Sequence, residues 1–309
     1  MSALAFTALA LLLAGPVPAV LARASWPLRA PRAAVVLWQA IALAAVLSAF
    51  SAGLAVAAML FVPGTGGRPA ATVDAGVASL GWPLWLALFL VLTTTLLIGF
   101  RLVAAMVQVA IGTRRRRAHH RTMVDLLGEC RHDMADVRVL RVAEPLAYCL
   151  PGIRRRVVVS AGAIHALSET ELAAILRHER AHLGARHDLV LEAFVAVHTA
   201  FPRFVRSSSA LGAVALLVEL LADDAAVRAT GRGPLARALV TCASARTPAG
   251  AWAAGGPSTG VRGRRLAGRA NSRVLAIAAY LTAAAILTLP TVAVAVPWLT
   301  ELHRLFIAH

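Results

Sequence analysis

The sequence predicts a mainly α-helical membrane protein in which about four transmembrane helices carry a cytoplasmic α+β domain. Of the 309 residues 59% are hydrophobic and only 15% charged, with a mean hydropathy of +0.72, which is too apolar for an ordinary soluble domain and excludes a disordered chain. Four segments, 3–22, 34–62, 83–111 and 274–298, are long and apolar enough to span a hydrocarbon core, which takes about 20 helical residues. Between the third and fourth the composition changes: every acidic residue except Asp74 and Glu301, and most of the histidines, fall between positions 114 and 272.

The first span follows Met1-Ser2-Ala3, which offers no basic side chain, and contains Pro16 and Pro18. It reads as a kinked membrane helix rather than a cleaved signal peptide. Arg23, Arg29 and Arg32 follow it, whereas the next loop, Pro63 to Gly81, carries Arg68 against Asp74, so the first loop is expected on the cytoplasmic side. The third span contains Arg101 and is followed at once by Arg114-Arg115-Arg116-Arg117 as a stop signal, and Arg262, Arg264, Arg265, Arg269 and Arg273 precede the fourth. Both clusters give the same orientation and read as topology signals or contacts with anionic lipid. The expected division is a membrane region at 1–113, a cytoplasmic domain at 114–272, and a closing membrane helix with a short tail at 273–309.

The formal net charge of +16 invites a nucleic-acid reading. The arginines sit beside apolar runs with no aromatic interleaving, so no direct nucleic-acid partner is expected. Cys130, Cys149 and Cys242 lack metal or disulfide spacing and read as small, mostly buried thiols.

Within 114–272, Val137 to Val142 alternates with period two and Arg156 to Ser160 is a β-branched run, with Pro151-Gly152 as a turn. They predict a small antiparallel sheet that also takes in Ala147 to Leu150. Ser168-Glu169-Thr170-Glu171 has the form of a capping box, so a helix begins at Glu169; Leu172, Ile175, Leu176 and Leu183 mark its buried face and Gly184 its end. The helix carries His178-Glu179-Arg180-Ala181-His182. In this H-E-x-x-H pattern the two imidazoles lie on one face and can reach one zinc ion, with Glu179 placed against a metal-bound water. The bland alternative is a pair of surface histidines with carboxylate neighbours.

A catalytic zinc normally takes a third protein ligand. Asp188, Glu192, Glu219, Asp223 and Asp224 are the downstream candidates, and Glu219 stands alone in the apolar run Ala210 to Ala222, where burial without a partner is costly and coordination would explain it. Otherwise Glu219 faces solvent on an amphipathic helix. Asp223, one turn on, suits the outer ring nitrogen of a zinc-bound histidine, or else a salt bridge to Arg180 or Arg228. His187-Asp188 reads first as a cap for an apolar helix from Leu189 to Phe201, and otherwise as a brace for the site. That helix is too short to cross a bilayer, which puts the site near the membrane surface. The remaining histidines read as surface or core residues.

Three spans, a basic stop, Ala147-Tyr148-Cys149-Leu150-Pro151-Gly152, Val157-Val158-Val159-Ser160, His178-Glu179-Arg180-Ala181-His182, Glu219-Leu220-Leu221-Ala222-Asp223 and a final span together resemble the membrane zinc metallopeptidases of the bacterial β-lactam sensor-transducers. The core is also similar to the wider group of CAAX prenyl-proteases and heat-shock membrane proteases. The resemblance implies a zincin-like, gluzincin-type fold with His178, His182 and Glu219 as zinc ligands, Glu179 as catalytic acid/base and Asp223 in support. It further implies cleavage of a cytoplasmic transcriptional repressor in signal transduction. Those sensors carry an extracellular penicillin-binding domain after the last span, where this chain runs only from Thr300 to His309, so any sensing is expected to use the short loops, the spans themselves or a separate sensor partner.

The function expected is thus that of a multi-pass cell-membrane zinc endopeptidase acting on a protein or peptide. Its substrate would lie along an exposed sheet strand, either Val137 to Val142 or Ala147 to Leu150. The alternatives are a quality-control or prenyl-type membrane protease, and a non-catalytic relay or scaffold closed by zinc.

Overall fold

In the computed structural model, which describes residues 2–60, 62–63, 69–70, 77–78, 80–131, 134–152, 155–200, 208–242, 252–253, 259–268 and 271–307, the first span is two helices. Most of the Pro63 to Gly81 loop, with Arg68 and Asp74, lies outside those ranges, as do Phe201, Arg269, His132 and His309. Helix α1 (Ser2–Ala14) stops at Gly15, and α2 (Pro16–Arg23) restarts with proline in its first turn, where the missing N–H costs nothing.

Helix α3 (Pro31–Ala57) also opens on proline, and a two-residue antiparallel ladder, β1 (Val62–Pro63) with β2 (Pro69–Ala70), follows it. Helix α4 (Trp82–Leu127) does not end at the arginine run but continues unbroken to Gly128. The charges end the apolar stretch and not the helix: arginine is a good helix former, and no proline intervenes. With the long final helix α11 (Arg273–Ile307), four helical stretches are long and apolar enough to cross a membrane.

The sheet has five strands, β3 (Glu129–Arg131), β4 (Met134–Leu140), β5 (Ala147–Leu150), β6 (Arg156–Ser160) and β7 (Trp252–Ala253), in the order β3-β4-β6-β5-β7. It is mixed, which corrects the antiparallel expectation: β4 runs parallel to β6, Val137 opposite Val157, and β5 lies antiparallel on the far side, Tyr148 opposite Val158. The connection from β4 crosses the end of β6, where the Ser160 hydroxyl donates to the Glu144 carbonyl at 2.7 Å and accepts from the Leu146 amide at 3.0 Å. A side chain at Gly162 would have its Cβ 1.9 Å from the Ala143 carbonyl oxygen, so this crossing requires glycine. The strands expected to offer a free edge do not. Strand β4 is paired on both sides, and Trp252–Ala253 covers β5 at Tyr148 and Cys149.

Behind β6 come α5 (Ala161–Ala166) and α6 (Glu169–Ala185), the latter opened by the expected capping box, with the Glu171 amide donating to Ser168 Oγ at 3.4 Å and the Ser168 amide to Glu171 Oε2 at 3.0 Å. Its end is not Gly184 but Arg186, which takes the left-handed conformation at φ 51°, and α7 (His187–Ala200) leaves at once. Helices α8 (Ser208–Thr230), α9 (Arg232–Cys242) and α10 (Thr259–Ala267) complete the domain.

Among the described residues two large apolar cores result, with a smaller cluster of Val124, Tyr148, Leu150 and Val158 on the other face of the sheet. One joins Trp38 and Ile41 of α3 to Leu191 and Phe194 of α7, Val214, Leu217 and Leu220 of α8, and Ala279 of α11. The other packs Val157 and Val159 against Ile175, Leu176, Leu183, Ala226 and Leu239. Helix α8 belongs to both, and Glu219 and Asp223 lie where it passes from one to the other.

Candidate metal centre

Helical spacing places His178 and His182 one turn apart on the buried face of α6, 0% and 4% exposed. Their Nε2 atoms face each other at 3.2 Å. Glu219 enters from α8, with Oε2 3.4 Å from His178 Nε2 and Oε1 3.5 Å from His182 Nε2. Among the described residues this is the group of three side chains that could hold a metal ion. Donor atoms about 2.0–2.1 Å from a tetrahedral zinc stand about 3.3–3.4 Å from one another. The imidazole separation and the approach of each Glu219 oxygen to one imidazole are close to that edge, and one donor atom from each side chain lies within 4.8 Å of the other two, so the side chains fit the ion.

Of the other downstream carboxylates, Asp188 and Glu192 both reach Arg117, at 2.9 and 2.6 Å, and Asp224 pairs with Arg265 at 2.7 Å. Arg180 pairs with Asp136 at 2.8 Å, and not with Asp223. Asp223 lies with Oδ1 3.0 Å from His178 Nδ1, and the outer nitrogen of His182 is 3.1 Å from His187 Nδ1. Both imidazoles therefore have the outer partner that fixes a ring's orientation. Glu179 is fully buried beside them, with the buried Cys149 thiol against its carboxylate.

Reading the sequence alone missed two residues here. Arg262, assigned to a topology cluster, is 0% exposed; its Nε and Nη2 donate to Asp223 at 2.8 and 2.6 Å, and its Nη1 stands 3.0 Å from Glu219 Oε2. The available signal was Leu266, one turn on and also buried, which marks an inward face on α10. A fully buried arginine is tolerable only against carboxylates, and Glu219 and Asp223 supply two. His187 was noticed only for its neighbour Asp188.

The electrostatics follow from burial and these contacts. Burial, with the Glu219 charge beside it, pushes the Glu179 carboxyl up to about 8, and burial with the neighbouring His178 ring pushes His182 and His187 down to about 3 and about 4. Burial opposes charge on His178 as well, but Asp223 and Glu219 overcome it and raise the ring to about 9. Against the same opposition, the hydrogen bond to His178 lowers Glu219, and the Arg262 guanidinium holds Asp223 well below the usual carboxylate range. The arrangement can bind a dication between two imidazoles and a carboxylate, with a second carboxyl beside it able to take up and release a proton near neutral pH.

Residues 7–202, more than half of the chain, match the family model described as BlaR1 peptidase M56. The match takes in the H-E-x-x-H helix and ends before Glu219, Asp223 and Arg262. No curated protein and no solved structure matches the chain.

Proposed function

Because the chain belongs to the BlaR1 peptidase M56 family and is thus a membrane-associated metallopeptidase acting on protein or peptide, we propose that it is a zinc endopeptidase of the gluzincin type, with His178, His182 and Glu219 as ligands and Glu179 as acid/base. The observation that carries this reading is the convergence of the two imidazoles, 3.2 Å apart, with the Glu219 carboxylate, whose oxygens lie 3.4 and 3.5 Å from them, beside the fully buried Glu179.

A zinc ion bound there supplies Lewis acidity that ionises water near neutral pH and polarises a scissile carbonyl. Glu179 takes the proton from the attacking water and passes it to the leaving amine, a task suited to a carboxyl whose proton affinity burial has raised to about 8. Asp223 and His187 hold the rings of His178 and His182, and Arg262 keeps Glu219 and Asp223 ionised and in place.

In this reading 1–113 anchor the enzyme, 114–272 form its cytoplasmic catalytic domain and 273–309 close the multi-pass layout. The substrate is a cytoplasmic protein, such as a transcriptional repressor cleaved in response to a signal that a separate sensor delivers. The arginines flanking the spans support the orientation. Comparing new protein N-termini by mass spectrometry in cells expressing wild type or Glu179→Gln at matched levels tests the activity: termini confined to wild type are expected, and identical sets under several envelope stresses refute it. Protection of a tag at His309 from cytoplasmic protease is expected, and its digestion inverts the topology.

A further inference from the structure

Beside α6 is an open cavity of about 860 Å³ lined by six arginines, Arg29, Arg32, Arg177, Arg180, Arg228 and Arg273, and reached by His187 from the metal centre. They come from the chain leading into α3 and its first turn, the start of α11, the middle of α6 and the last turns of α8. Arg180 is satisfied by Asp136, and the one carboxylate on the cavity wall, Asp224, is committed to Arg265. The other five have no ion-pair partner among the described residues. That many like charges converging on one concavity repel one another unless an anion joins them.

Helix geometry adds to the positive field. The first turns of α3 and α11 both open on this cavity, held side by side by the Ser272 amide donating to the Arg29 carbonyl at 2.8 Å. Each contributes the partial positive charge of a helix N-terminus, the usual seat of a phosphate. Along the same two helices the wall then turns apolar through Val35, Val36, Ala276 and Tyr280, and these helices are candidate membrane spans. The site thus offers a cationic floor for a phosphodiester and an apolar wall continuous with hydrocarbon.

We propose that this cavity binds the headgroup phosphate of an anionic glycerophospholipid, with its acyl chains against α3 and α11, and that the lipid docks the catalytic domain on the bilayer. The apolar wall favours a lipid over free phosphate, and the position at the ends of two spans favours it over an acidic segment of protein. The inference uses no residue of the metal triangle and stands apart from the peptidase assignment.

The test is native mass spectrometry of the full chain released from mixed phosphatidylcholine and phosphatidylglycerol, with wild type, Arg32→Gln/Arg273→Gln, and Arg115→Gln/Arg116→Gln outside the cavity. Wild type and the outside variant are expected to retain one phosphatidylglycerol. The cavity variant is expected to lose retention by about thirtyfold, from roughly fivefold per arginine near a membrane surface, and Arg32→Lys/Arg273→Lys to regain most of it. If the glutamine pair fails to insert, Arg177→Gln/Arg228→Gln, outside both spans, probes the same cavity. Equal retention by all variants, or equal retention of the two lipids, overturns the proposal. So does displacement of the lipid by inorganic phosphate alone, which identifies a free-anion site, or by a glutamate-rich peptide, which identifies a protein-docking site.

Discussion

Replacing Arg262 with methionine removes a guanidinium that is fully buried and makes two hydrogen bonds to Asp223, at 2.8 and 2.6 Å, while standing 3.0 Å from Glu219. Methionine keeps much of the side-chain volume, so the perturbation is mainly electrostatic: two buried carboxylates lose their cation. Breaking a buried pair from one side costs about 3–5 kcal/mol, because the remaining charge stays desolvated. For a domain of this size that corresponds to a fall in unfolding temperature on the order of 10 °C. The assay is thermal unfolding of the detergent-solubilised full chain, metal-free and zinc-loaded. The loss should be largest without metal, since a bound dication restores positive charge beside Glu219. Adding Asp223→Asn should recover part of it by removing one orphaned charge. A metal-free Arg262→Met protein within about 1 kcal/mol of wild type, the range of an exposed ion pair, refutes the reasoning.

Zinc competition with a chelator should show Glu219→Ala losing stoichiometric binding. His187→Phe should keep it with about 10–100-fold weaker affinity, as expected for a residue that braces a ligand; unchanged affinity in both removes Glu219 from the ligand set and His187 from its support. Glu179, raised from 4.5 to about 8 by burial, stabilises the metal-free fold fully below pH 4.5 and loses that contribution as pH rises through 8. Metal-free wild type should therefore weaken toward alkaline pH more steeply than Glu179→Gln, and parallel unfolding profiles contradict this. Gly162→Ala sets a Cβ against the Ala143 carbonyl and should cost at least about 2 kcal/mol, whereas Gly184→Ala, with nothing within 4 Å, should be neutral or stabilising; equal unfolding temperatures would mean that the crossing relaxes.

What could be read from the sequence was local or periodic. The capping box, the turn of helix between His178 and His182, and a lone Glu219 in an apolar run each express themselves within a few residues of one another. Arg262 could not be read this way: its partner Asp223 is 39 positions away, and four neighbouring arginines made a bilayer explanation sufficient. The parallel pairing of β4 with β6 depends on how the chain crosses at Ser160 and Gly162, which no alternation pattern records. Helix α4 outlasted its predicted end because hydropathy reports where a membrane stops and is silent on backbone hydrogen bonding. Gly184 drew the expected helix end by its residue type, while Arg186 took up the left-handed strain so that α7 could leave at once.

Helix α4 makes a stiff strut. Its 46 residues extend about 69 Å, roughly twice the hydrocarbon thickness. It clamps α7 at both ends, through Arg101 to the Ala200 carbonyl and through Arg117 to Asp188, and Val124 then wedges against Tyr148 and Val158 of the sheet. Helix α7 begins with His187, whose ring leans on His182, so one helix links the strut to the metal centre. Over the roughly 24 Å from Arg101 to Arg117, a tilt of about 5° moves the far end by about 2 Å, beyond the displacement of about 1 Å that already costs a catalytic geometry most of its rate.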